Sequence, residues 1–256
     1  MVNQENFKKA TLTKKEHKLY EILIKKIKQW LQQKVASAHS NGVTLGISGG
    51  IDSATLAVLA NDLFKENAHF YYFKTKVDEY TENHVKLLEK RLGRNIEIVD
   101  LSQVYLSLES TLNLKNRMSQ SNTKSRLFMT SAYALSQERN TLVLGTDNLD
   151  EFYLGYFTKY GDGGCDLLPF ANVKKSDVYA MARLLNVPQE IIDKKPSANL
   201  YEEQYDEDEL GFTYAEFESW LIDKSSVSEE IRNKIIAIHK KTDHKRKAIP
   251  RGPKLK

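Results

Sequence analysis

The residues with the clearest chemical purpose are Ser48, Gly49, Gly50, Ile51, Asp52 and Ser53, which follow a short apolar run and open a helical pattern. Adjacent glycines let the backbone turn sharply and approach a ligand that a Cβ would hold away. The helix that follows offers unpaired N–H groups at the positive end of its dipole. Such a turn suits an anion. Ser48 and Ser53 add hydroxyl donors, whereas Asp52 would repel a bare phosphate and makes sense where a Mg²⁺ ion shares its charge. The stretch therefore reads as a cradle for a metal-bound pyrophosphate. No lysine follows these glycines as a P-loop requires, and their spacing is not the GxGxxG of a dinucleotide fingerprint. A plain strand-to-helix turn capped by Ser or Asp is the competing reading.

Further chemistry lies downstream. Asp147, Asp150 and Glu151 fall at i, i+3 and i+4 of an expected helix, so that one of them would reach a metal ion held by Asp52. For Asp147 the simpler role, complementing a helix dipole, is preferred. Arg126 and Tyr133, seven apart in a helical stretch over 121–137, share a side and suit a flat, anionic ligand; a surface arginine beside a core tyrosine is the alternative. The glycine-rich segment 155–170 lacks periodicity and carries Lys159, Asp162 and Asp166, the composition of a loop that serves a site. Cys165 has no neighbouring base and reads as a small buried side chain. Lys175 stands near the start of a helix, where its charge opposes the dipole, which points to an anionic partner.

The elements that must position these groups alternate. Thr13 and Glu16 form a capping box before a helix whose apolar positions are Leu19, Ile22, Leu23, Ile27, Trp30, Leu31 and Val35, a face for the sheet or for a subunit contact. Strands are expected at 43–47, 68–73, 96–99 and 141–145, with helices at 51–63 (one side buried), 79–92, 101–114, 121–137 (Leu127, Ala134 and Leu135 inward) and 174–185. That alternation predicts an α/β fold, a doubly wound parallel sheet flanked by helices, with ligands beyond the carboxyl ends of the strands. Lys74, Thr75 and Lys76 fall on that rim and read as solvated loop residues. About 194–212 is expected to be a mobile acidic lid. Helices follow near 214–222 and 228–238, and then a basic tail, 240–256, whose prolines argue against a helix.

With 256 residues, 41% hydrophobic and 28% charged, the chain suits a single domain, and its net charge of +4 is too mild to argue for nucleic acid. One cysteine excludes a disulfide framework and a cysteine-based zinc site. No apolar run approaches a membrane span or a signal peptide, so no membrane partner and a cytoplasmic location are expected.

SGGIDS at 48–53 resembles the signature of the ATP pyrophosphatases. NTKSR at 122–126, GTDNLDE at 145–151, FTKYGDGGCDLLP at 157–169, KKPSANL at 194–200, DELGF at 208–212 and DHKRK at 243–247 together resemble the motifs, in order, of the ammonia-dependent NAD synthetases. The resemblance implies an adenine-nucleotide α-hydrolase-like, Rossmann-like fold and ATP-dependent amidation of deamido-NAD by ammonia through an adenylate, giving NAD, AMP and pyrophosphate. It implies ATP at Gly46, Ile47, Ser48, Gly49, Gly50, Ile51, Asp52 and Ser53, completed by Thr146, Lys175 and Ser197, and Mg²⁺ at Asp52 and Glu151. Deamido-NAD would meet Arg126, Tyr133, Lys159, Asp166, His244 and Lys245, and Asp162 would stand near ammonia. A homodimer with the dinucleotide at the subunit boundary is implied as well. Phe128 departs from the family's second arginine, and Ser197 from its threonine. Competing readings are a tRNA-thiolating or lysidine-forming enzyme, the synthetase part of GMP synthetase, and a non-catalytic nucleotide-binding module.

Overall fold

The computed structural model describes residues 11–197 and 205–254. In chain order its elements are α1 (Lys14–Ser37), β1 (Gly42–Gly46), α2 (Ile51–Phe64), β2 (Ala68–Lys74), α3 (Glu79–Leu92), β3 (Glu97–Asp100), α4 (Ser102–Thr111), α5 (Arg117–Arg139), β4 (Thr141–Leu144), α6 (Leu149–Leu154), α7 (Lys175–Leu184), α8 (Gln189–Asp193), α9 (Asp206–Leu210), α10 (Tyr214–Ile222), α11 (Glu229–Lys241) and α12 (Asp243–Arg246).

The four strands are parallel and lie in the order β3-β2-β1-β4, with Leu45 of β1 opposite Phe70 of β2 and Leu144 of β4. The chain leaves β1 in one direction and returns to its other side, so the strand order reverses between β1 and β4. Ligands of open α/β sheets bind in the crevice beyond such a reversal. Here that crevice lies between the residues after Gly46 and those after Leu144.

Both faces are covered. Ile27, Leu31 and Val35 of α1, Ile51, Ala54 and Leu56 to Ala60 of α2, Leu88 of α3 and Met181 of α7 pack over one face as the main core. The other face meets α5, where Tyr71, Phe73, Ala132 and Val143 form a smaller cluster. A third cluster, from Leu154, Phe212, Phe217, Trp220 and Ile235, joins α6 to α10 and α11. Fully burying a side chain of this size contributes roughly 1.5–3 kcal/mol, so each cluster holds its elements firmly.

Several expectations change in detail. Helix α2 is buried around its circumference because it lies between the sheet and helices α1, α3 and α7, whereas its spacing predicted one inward side. Ala134 of α5 is exposed, and Ala132 with Ser121, Ser125 and Ser136 faces inward, small side chains that let the helix approach the sheet. In α1 the capping box is present, but Leu19 and Ile22 are exposed while the later apolar positions pack inward. The acidic stretch resumes regular structure at α9, with Leu210 and Phe212 buried; the part of the expected lid at 198–204 lies outside the described residues. The tail includes a short helix, α12, ahead of its prolines.

Candidate active site

The serine-glycine turn leaves β1 and becomes α2 as its spacing predicted. Gly49 has φ +71°, and a Cβ there would come within 2.9 Å of Thr81, so a side chain would be both strained and crowded. No side chain caps α2, whose N-cap is Gly50. Ser53 makes its hydrogen bonds within the turn. It is buried, accepts from the Ser48 amide at 3.2 Å, lies 3.0 Å from the Ser48 hydroxyl and donates to the Gly50 carbonyl, so it holds the turn in shape.

A cavity of about 300 Å³ opens at this crevice. Gly46, Ile47, Ser48, Gly50, Ile51, Asp52, Thr146, Glu151, Lys175 and Ser197 line it, as does Asp162. Arg126, Tyr133, Lys159, Asp166, His244 and Lys245 do not line this cavity; they form contacts of their own beside it. The Arg126 guanidinium Nε donates to the Lys159 carbonyl at 3.3 Å, and Lys159 Nζ donates to the His244 carbonyl at 2.7 Å. Tyr133 donates to Asp166, whose other oxygen accepts from the Val143 amide at 2.8 Å. Asp166 thus pins the loop to β4.

Lys175 Nζ lies 2.6 Å from Asp52 Oδ2 and 3.0 Å from Glu151 Oε1. The anionic partner expected from its place in α7 is therefore present, and twice over. Burial opposes the Lys175 ammonium, but Asp52 and Glu151 together outweigh it and hold its pKa well above the ordinary lysine value. Burial pushes Glu151 up to about 7, against the attraction of Lys175 and with the repulsion of Asp52.

Asn148 completes this arrangement and was not singled out in the sequence. Its side chain caps α6 by accepting from the Asp150 and Glu151 amides and donates to Asp52 Oδ1 at 3.0 Å, while its amide donates to the other Glu151 oxygen at 3.2 Å. The signal was available, because Asn148 and Glu151 have capping-box spacing. Each carboxylate is thereby held at one oxygen and directed toward Lys175 with the other.

The expected shared face of Asp147, Asp150 and Glu151 is not formed. Asp147 precedes the N-cap of α6 and faces the cavity, and Asp150 turns inward to accept from the Lys175 amide at 3.4 Å. Asp147 is 4% exposed and its Oδ2 has no hydrogen-bond partner among the described residues. Burial, then the Asp162, Glu151 and Asp52 carboxylates, push its pKa well above the ordinary value, with Lys245 acting against them. A dipole-complementing surface charge does not describe it.

Lys74, Thr75 and Lys76 line the cavity, contrary to their reading as solvated loop, and so do Lys124, Phe128 and Met129 of α5. Phe128 stacks on Phe73 with ring centroids 6.0 Å apart, which gives this end an apolar wall. Burial pushes Cys165 up to about 12, in keeping with an inert thiol. Among the described residues, no group of three or more His, Cys, Asp or Glu stands ready to hold a metal ion, and no helix is long and apolar enough to cross a membrane.

A family model described as NAD synthase matches residues 23–249. The NH(3)-dependent NAD(+) synthetase of Mycoplasmopsis pulmonis is 46% identical over 225 residues, which is 85% of each chain. Among solved structures, the NMN synthetase of Francisella tularensis superposes with a TM-score of 0.84 at 34% identity, covering 92% of this chain and 99% of the other. The NH3-dependent NAD synthetase of Campylobacter jejuni, in complex with the nitrate ion, gives 0.78 at 26% identity over 92% and 99%.

Proposed function

The chain belongs to the NAD synthase family, and from that premise we propose how its cavity performs the ATP-dependent amidation of deamido-NAD with ammonia. The observation that carries the reading is Lys175, bridging Asp52 and Glu151 at the end of the serine-glycine turn.

Water does not let ammonia displace hydroxide from a carboxylate at a useful rate, so the carboxylate is first activated. A carboxylate oxygen of deamido-NAD attacks the α-phosphorus of ATP, the bond to pyrophosphate breaks, and an acyl adenylate forms. The amides of the turn at 48–53 and the Lys175 ammonium stabilise the charge that moves onto the departing pyrophosphate. Fixed donors of this kind supply a large share of the rate in such transfers. Ammonia then attacks the acyl carbon and AMP leaves.

The residues present fit a magnesium ion. Asp52 and Glu151 offer hard carboxylate oxygens, each oriented by Asn148 and facing a single cation. Asp52 and Glu151 would hold the magnesium, a set of few protein oxygens that suits an ion reluctant to give up its waters. When bound, it supplies charge neutralisation on the phosphates.

Deamido-NAD is held by Arg126, Tyr133, Lys159, Asp166, His244 and Lys245. Their mutual contacts support this reading, because they join the glycine-rich loop, α5 and α12 into one surface beside the cavity. Ser197 and Thr146 complete the ATP site. Asp162 attracts ammonium and accepts a proton from the nitrogen; its Oδ1 is held by the Ser125 hydroxyl at 2.7 Å and the Thr158 amide at 2.9 Å. The protein acts in the cytoplasm as a homodimer, for which the exposed Leu19 and Ile22 of α1 offer apolar surface.

A second reading, with the mononucleotide acid as substrate and NMN as product, is favoured by the fit to the Francisella tularensis enzyme. Purified protein is supplied with ATP, Mg²⁺ and ammonia, and with either deamido-NAD or nicotinic acid mononucleotide. The account expects AMP and NAD in equal amounts from the dinucleotide, at higher kcat/KM than NMN from the mononucleotide. The opposite preference selects the second reading, and no AMP from either acid refutes both.

A further inference from the structure

The serine-glycine turn has a wall behind it, and that wall comes from α3. Gly49 is buried, while Ser48 and Gly50 on either side of it line the cavity. Asp78 caps α3 by accepting from the Thr81 amide at 3.1 Å and the Thr81 hydroxyl at 2.7 Å. Thr81 is thereby set against Gly49, and His84, three residues further along α3, reaches the Gly49 carbonyl with Nδ1 at 3.2 Å. His84 is 4% exposed, and Tyr80 meets its ring edge-on with centroids 4.5 Å apart. A carbonyl only accepts, so His84 Nδ1 carries the hydrogen and donates it. Burial, and then the Lys194 ammonium, hold the imidazole below its ordinary pKa, against Glu190 and Asp78. The donor is a neutral ring.

What this bond controls follows from the geometry of a peptide. The unit joining Gly49 to Gly50 is trans, so its carbonyl and its N–H point to opposite sides. With the carbonyl held at α3, the Gly50 N–H is turned the other way and donates to the Ser48 hydroxyl at 3.3 Å. The two glycines do not fix this choice themselves. Gly49 has φ +71°, and a glycine at position 50 accepts a positive φ as readily as its present −96°, so the unit is free to swing over. Once swung over, it would present its oxygen to the cavity in place of its N–H. A pyrophosphate would then meet partial negative charge where it needs a donor.

We propose that His84 is a positioning residue for the pyrophosphate part of ATP: by holding the Gly49 carbonyl against α3, it keeps the Gly50 amide turned toward the phosphates. It stands behind the turn and acts through the backbone. Thr81 fills the space beside Gly49, and His84 sets the direction of the peptide.

The inference rests on reading this turn as the pyrophosphate cradle of the amidation, and the test separates the two. Two variants of the full chain divide the hydrogen bond from the packing. His84→Asn returns a neutral N–H close to where Nδ1 stood, and His84→Phe fills the space without a donor. Binding of magnesium pyrophosphate is measured by titration calorimetry, and KM for ATP and for deamido-NAD by initial rates. For His84→Phe we expect about tenfold weaker pyrophosphate binding and a similar rise in KM for ATP, because a buried carbonyl loses its donor. KM for deamido-NAD should stay within about twofold. His84→Asn should bind pyrophosphate within about twofold of the wild type. Should His84→Phe fail to fold, His84→Met takes its place with the same expectation. Wild-type binding in the donorless variant overturns the proposal, and so does an equal or greater loss in His84→Asn, which would make the ring a packing group. Pyrophosphate binding by a wild-type enzyme that forms no AMP refutes the amidation and leaves His84 to be judged by the binding alone. No binding to the wild type refutes the cradle, and the proposal with it.

Discussion

Two pairs of carboxylates face one cavity, and their surroundings differ. Asp52 and Glu151 share the Lys175 ammonium and are each held at the other oxygen by Asn148, so their charge is already balanced by a cation. Asp147 and Asp162 have a lysine nearby, Lys245, but it gives hydrogens to backbone carbonyls. The same residue type is thus prepared for different work. The first pair is matched to a cation of the protein itself, and in the second burial favours the protonated form of Asp147. Sequence spacing treats the four acids alike, and the partner of each carboxylate is what separates them.

The contrast can be broken at several points. Asp52→Ala removes the acid nearest to Lys175, and AMP formation is expected to disappear while circular dichroism stays native; near-normal turnover would remove its metal assignment. Lys175→Met leaves two buried acids facing each other. AMP formation should fall about 1,000-fold, and stability by roughly 3–5 kcal/mol in urea unfolding, because an unpaired buried charge costs more than the pair contributes. Arg126→Ala lies outside both pairs and should raise KM for deamido-NAD about tenfold with KM for ATP unchanged; the reverse pattern would refute its role.

The smallest effect sharpens the contrast through pH. Asp147 keeps its proton in the folded state at pH values where the unfolded chain has lost it. Its contribution to stability is therefore full below the unfolded carboxyl pKa of about 4 and is lost as pH rises through the folded value. Asp147→Asn has no such loss. Its melting temperature should exceed the wild-type value by about 2–4 °C at mildly alkaline pH, with the difference shrinking as pH falls toward 4. A difference that grows on acidification would contradict the assignment.

Much of this arrangement was legible in the sequence because regular elements carry it. The apolar runs at 43–47 and 141–145 and the helix at 79–92 gave the sheet, its crevice and the turn that opens on it. The first-turn position of Lys175 foretold an acidic partner but not that there would be two. What was not legible depended on directions that spacing does not fix. Asp147 was assigned to a helix it precedes, because Asn148 takes the N-cap. Helix α2 was read with one buried side because periodicity reports contrast, and a helix covered all round has little. Lys76, Lys124 and Phe128 reach the cavity from two elements far apart in sequence, and no local pattern joins them.

The central claim is that a carboxylate oxygen attacks the α-phosphorus of ATP beside Lys175, and isotope transfer tests it most directly. Deamido-NAD labelled with ¹⁸O at both carboxylate oxygens is turned over with ATP, Mg²⁺ and ammonia, and the products are weighed by mass spectrometry. The account predicts one ¹⁸O in each AMP, none in pyrophosphate, and one retained in the amide of NAD. Unlabelled AMP, or ADP with labelled orthophosphate, would contradict it.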